Sequence, residues 1–182
     1  MVRYAVNMKH LLDLSPRHWH LIVAPSPKKI LIAIAYLART MPLTVFDCGR
    51  RFDSSVVARA AQGRKEIIDH VKIQRAFTCF EAVKLLEQKQ IEKTPIIILD
   101  FLATFYDENV NLNTRNFLFQ RSIQHFQRLG QYAGLGVSVY PPAASGDAVV
   151  LFERLQSAAP NVSDYTMPEK ENRQLGLFEW ET

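Results

Sequence analysis

The sequence predicts an α/β domain of three layers, a mainly parallel central sheet flanked by helices. Three observations carry that expectation. Five short apolar runs are spaced along the chain, continuous where a half-buried strand would alternate. Stretches of helical composition separate them, the pattern of strand–crossover–strand units with right-handed connections. The chain of 182 residues, 48% hydrophobic and 22% charged, is long enough for one full core and short for two.

Each element follows in order. The strands are "HLIVA" (20–24), "LTVFD" (43–47), "VKIQRA" (71–76), "PIIILD" (95–100) and "LGVSVY" (135–140), all expected to be buried. "KKILIAIAYLARTM" is apolar nearly all round and predicts a buried helix. "SSVVARAAQGRKEIIDH" reads as the next helical segment. "FTCFEAVKLLEQKQIEK" follows, with Phe80, Val83 and Leu86 on one face. "NTRNFLFQRSIQHFQRLGQYAG" is the longest, with Phe117, Phe119, Ile123 and Phe126 available to pack on the sheet. After Tyr140, "PPAASGD" forms a loop and "AVVLFERLQSAA" a helix, alone or after a short strand. "PNVSDYTMPEKENRQ" is polar and breaks regular structure, so the expected division is a domain over 1–160 and a mobile C-terminal tail over 161–182.

The totals exclude some classes. No apolar run approaches the ~20 residues that span a bilayer, and "MVRYAVNMKHLLDL" lacks the shape of a signal peptide. Two cysteines, Cys48 and Cys79, suit a reducing compartment, so a cytoplasmic protein without membrane partners is expected. There is no zinc spacing; His18 and His20 have no third ligand nearby, and no metal is expected. Charge is uneven: residues 1–160 carry a net of +7 and residues 161–182 a net of −3. A basic body permits DNA contact through phosphate neutralisation, but a solvated basic surface explains it equally.

"VAPSPKKI" (23–30) runs from the first strand into the first long helix, where an α/β protein would carry a phosphate-binding loop. Such a loop, G-x-x-x-x-G-K-[ST], needs glycines for backbone donors, a lysine against the phosphates and a hydroxyl on Mg²⁺. Lys28 and Lys29 are present, but there is no glycine, neither lysine precedes Ser or Thr, and Pro25 and Pro27 lack N–H groups. A helix N-terminus with two lysines could still attract an anion in another manner. Asp100 ends "IIILD" as a metal-holding Walker B aspartate would, and equally as a hydrogen-bonded strand-end residue would.

Taken together, "VFDCGRRFDSSVVARAA", "VKIQRAFTCFEAVKLLEQ" and "TPIIILDFLATFYDENVNLNTRNFLFQRSIQHFQRLGQYAGLGVSVY" resemble the ATPase core of RecA-fold recombinases, closest to the RadA-like branch. The likeness covers about residues 18–142, in the family's order and spacing. It implies a RecA-like fold, with a nucleotide site at Lys28, Lys29, Cys48 and Asp100. That site departs from the family's. The loop glycines and hydroxyl are missing, and Cys48 stands in "DCG" where the family's "T-E-G" places its catalytic glutamate. A thiol cannot act as that base, and neighbouring Asp47 is turned to the other strand face by the one-residue shift. Losing cradle, hydroxyl and base together removes the terms that carry phosphoryl transfer. The resemblance therefore implies a scaffold without ATPase activity and without a bound cofactor. The loops that would meet DNA are acidic, at Asp107 and Glu108, or short and nearly uncharged; Arg50 and Arg51 are the densest basic pair near a strand end and the DNA-binding candidates.

The chain closes on "RQLGLFEWET". Gln174, Leu175, Leu177 and Phe178 resemble the bacterial sliding-clamp-binding pentapeptide Q-L-[SD]-L-F, with Gly176 at the usual Ser or Asp. Apolar anchors in a polar tail dock readily into a pocket; the same residues could instead cover the domain's own apolar surface. The expectation is a non-catalytic adaptor of DNA repair, recombination or replication. Its partners would be the sliding clamp and another RecA-like or polymerase-associated protein. The alternatives are a DNA-binding protein and an atypical ATP-binding one.

Overall fold

The computed structural model describes residues 14, 17–107, 109–143 and 146–166. Six parallel strands form one sheet: β1 (Trp19–Val23), β2 (Leu43–Asp47), β3 (Val71–Arg75), β4 (Ile96–Leu99), β5 (Leu135–Val139) and β6 (Asn161–Asp164), in the order β3-β2-β4-β5-β1-β6. The helices are α1 (Pro27–Leu37), α2 (Ser54–Ala60), α3 (Lys65–Asp69), α4 (Cys79–Gln88), α5 (Leu112–Gly130) and α6 (Asp147–Ala158), with a 3-10 turn at Phe101–Phe105.

Alternation along the strands divides the core in two. Ile96 and Ile98 face one side of β4, against α4, α5 and α6; Ile97 and Leu99 face the other, against α1, α2 and α3. Moving from β1 to β3 the chain travels one way across the sheet, and from β3 to β6 it returns. Right-handed crossovers place the two sets of helices on opposite faces for that reason. Neighbouring strands send their following helices to opposite faces at three places, β3 and β2, β2 and β4, and β5 and β1, the switch points at which open α/β sheets bind ligands.

Local sequence sets the helix starts. Ser26 caps α1 ahead of Pro27, and Thr78 and Glu81 form a reciprocal capping box on α4, the Glu81 carboxylate accepting from Thr78 N at 3.2 Å. In α5 the residues Leu118, Phe119, Ser122, Ile123, Phe126 and Leu129 are buried, a helical stripe against the sheet.

Four expectations are corrected. Asn161–Asp164, placed in the tail, is a strand paired to β1 in register His20 with Asn161, so the sheet runs past the boundary expected at 160. An edge strand needs no apolar face, and Val162 is 45% exposed. β3 is the other edge and is exposed from Lys72 to Arg75, not buried. The segment 54–70 is two short helices, broken where Gln62 and Gly63 take φ values of 56° and 69°. Phe80 and Phe117 are 52% and 60% exposed; Cys79, Ala82, Val83 and Leu86 form the buried face of α4.

His18 is exposed, and His20 Nε2 lies 2.9 Å from Ser163 Oγ, tying β6 to β1. Among the described residues, no three His, Cys, Asp or Glu side chains group to hold a metal, and no helix is long and apolar enough to cross a membrane. The segment from Gln174 to Phe178 lies outside the described residues.

Candidate functional site

The carboxyl ends of β1, β2, β4 and β5 each deliver one part of a side-chain cluster. Register between Asp47 and Leu99 sets the end of β2 beside the end of β4, which puts the 48–52 turn next to Asp100. Asp47 organises that turn. Its two carboxylate oxygens accept from Arg51 N at 2.8 Å and Phe52 N at 3.2 Å, and Arg75 Nε lies 3.4 Å away. With the turn fixed, Arg51 reaches across to Asp100, and its Nε donates to Oδ2 at 2.8 Å. Asp100 itself sits at φ 51°, and its backbone N donates to Ser138 Oγ on β5 at 3.0 Å.

The cluster is roofed by Tyr140. The Arg51 guanidinium lies 4.6 Å from the centre of its ring, and the Tyr140 hydroxyl donates to Pro25 O in the β1–α1 loop at 2.8 Å. Tyr106 Oη donates to Tyr140 O at 3.4 Å. Residues from four loops are thus joined around one ion pair.

Burial sets the protonation of the cluster. Burial pushes the Cys48 thiol well above its usual range, and the Asp47 and Asp100 carboxylates push it further. It is a neutral thiol, unsuited as base or metal ligand. Burial also raises Asp100, an effect that the Arg51 hydrogen bond and charge oppose. Tyr106 is raised by burial and by the Asp100 charge.

Of the residues singled out in the sequence, Cys48, Arg51 and Asp100 come together. Lys28 and Lys29 lie on the exposed first turn of α1, and Arg50 turns away to place its guanidinium 5.4 Å from the centre of the exposed Phe77 ring. The pair borders a shallow groove of about 210 Å³ floored by Gly49, Ala76, Ala103 and Thr104. Sequence reasoning missed Tyr140 and Ser138, whose parts are a ring face and a hydroxyl, and read Pro25 only for its missing N–H and not for the carbonyl it offers. The only signal for them was position, each at or near a strand end. Asp47 builds the turn that aims Arg51.

A nucleotide with its metal does not fit these residues. Buried Pro25 offers a carbonyl, already taken by Tyr140, where a phosphate would want an N–H. The Asp100 carboxylate already binds a cation of the chain's own.

Gly49 is required by close approach. A Cβ there would lie 2.5 Å from Asp100 Cβ and 2.7 Å from its Cγ, inside any normal contact. Gly49→Ala is expected to destabilise the fold by about 1–3 kcal/mol in urea denaturation, because the buried carboxylate must move off Arg51. A neutral result would mean that Asp100 is free to shift.

The sheet order, the helices on both faces and the strand-end cluster define the class: an α/β domain with the RecA-like recombinase fold. Among solved structures the chain is similar to the RadB recombinase, with a TM-score of 0.54 at 11% identity over 73% of this chain. It spans 66% of that chain's length, and at this identity the likeness is one of fold. No family model matches the sequence, and no curated protein matches it.

Proposed function

We propose that this chain is a non-catalytic adaptor working in DNA repair, recombination or replication. Its RecA-like domain docks on a protein partner, another RecA-like protein or a polymerase-associated one, and Gln174, Leu175, Leu177 and Phe178 dock on the sliding clamp. The observation that carries the first half is the internal pairing of Asp100 with Arg51, which leaves the nucleotide's place without a free carboxylate. Docking is supported by three exposed apolar side chains on the β3 side of the sheet, Ile73, Phe77 and Phe80, beside a strand edge with open backbone groups.

The test is capture of the chain on immobilised clamp, with and without residues 170–182, alongside calorimetry with ATP and Mg²⁺. The full chain is expected to be retained and the shortened one lost, with Gln174→Ala or Phe178→Ala weakening retention about tenfold or more. Equal retention of both chains would overturn the clamp half; heat from ATP at high micromolar concentration would overturn the non-catalytic half. Phe77 beside Arg50 supports a second reading, single-stranded DNA stacked on the ring, for which affinity would fall steeply with salt.

A further inference from the structure

We infer that Arg51 is the resident cation of this site: its guanidinium takes the place at Asp100 that a nucleotide-bound metal would need, and latches the loops after β1, β2 and β5 together without any ligand. The inference rests on the non-catalytic reading and goes beyond it, because it says what holds the closed arrangement.

The Asp100 carboxylate is met by the Arg51 guanidinium and by the Tyr140 backbone N–H. The groups facing it are Arg51, Asp47, Cys48, Tyr106 and Tyr140. Asp47 is spent on two backbone N–H groups and on Arg75. Cys48 is a neutral thiol, and the two tyrosine hydroxyls donate to carbonyls elsewhere. Arg51 alone brings positive charge within bonding distance of the Asp100 carboxylate. A guanidinium suits the position because it can do two things at once: it presents an N–H edge to the carboxylate and a flat face to the Tyr140 ring. A metal ion has neither an N–H edge nor a flat face, and meets a carboxylate by charge and coordination alone.

Backbone strain points to the same place. Ala24, Arg50 and Asp100 follow β1, β2 and β4, and take φ values of 48°, 55° and 51° without being glycine. Such conformations persist where surrounding contacts over-determine them. The contacts that do so here are the Asp47 turn, the Arg51–Asp100 pair and the Tyr140–Pro25 hydrogen bond, and the guanidinium joins them.

A double-mutant cycle on the full chain tests the latch, with Arg51→Ala, Asp100→Asn and the double variant melted at pH 5 and pH 8 and titrated with Mn²⁺. Arg51→Ala is expected to lower the melting temperature by roughly 3–6 °C at pH 8. The double variant is expected to regain more than half of the summed loss, since no stranded carboxylate remains. The sign of the pH effect follows from burial. Without Arg51, burial raises the folded-state Asp100 further above its unfolded value of about 3.9. Stability is then lost as pH rises through that raised value, so the deficit of Arg51→Ala is wider at pH 8 than at pH 5. Should Arg51→Ala not fold, Arg51→Lys, which keeps charge without the flat fork, is expected to show a smaller deficit of the same pH sign. Additive losses or a pH-independent deficit overturn the latch while leaving the adaptor reading in place. ATP with Mn²⁺ bound by the wild-type chain and released by Asp100→Asn overturns both.

Discussion

Phe126→Ala is expected to cost about 3–5 kcal/mol of folding stability. Phe126 is fully buried one turn before the C-terminal end of α5, with ring centroids 5.2 Å from Trp19 on β1 and 4.9 Å from Phe101 after β4. It therefore joins a helix to two strands, and its removal leaves a cavity that rigid strands cannot close. Edge-on contact with Phe101 at 73° adds to the burial term. Phe117, nine residues earlier on the same helix and 60% exposed, supplies the control: Phe117→Ala is expected to change stability by less than about 0.5 kcal/mol. Urea denaturation of both variants checks the pair, and similar losses would mean that α5 is rotated from the orientation described.

Asp47→Ala is expected to cost about 3–4 kcal/mol, for a different reason. The side chain contributes acceptors, and its loss leaves the Arg51 and Phe52 N–H groups of the 48–52 turn unpaired and removes the ion-pair partner of Arg75. Asp47→Asn keeps one acceptor and the shape but loses the charge, and is expected to cost about half as much. Amide exchange at Arg51 and Phe52 should accelerate in both variants, ahead of global unfolding. Unchanged exchange would show that the turn is held by something other than Asp47.

The sheet core was legible because parallel strands covered on both faces must be continuously apolar, and "LTVFD", "IIIL" and "LGVSV" are. β6 was not legible, because a strand paired on one side only can be as polar as "NVSD". The 3.6-residue period marked α4 and α5 as amphipathic but left the stripe uncertain by one position, enough to misplace Phe80 and Phe117. Which of two adjacent aromatics turns inward is settled by how the helix crosses the sheet. At the site, the missing glycines could be read directly. The Arg51–Asp100 pair could not, since it joins residues 49 apart and depends on the register that sets Asp47 beside Leu99. Tyr140 looked like a strand-end aromatic; only the turn after β2 gives it a cation to cover.

β6 also fixes where Thr166 stands. Tyr165 N donates to Val23 O at 2.9 Å, so Thr166 is anchored at the carboxyl edge of the sheet, next to the loop that Tyr140 holds. Gln174 follows eight residues later, and eight residues of chain span at most about 28 Å whatever their path. Under the proposed docking of Gln174 and Phe178, the bound partner would therefore lie within that distance of the strand-end face. Residues inserted after Thr166 would widen that limit and leave the sheet as it is.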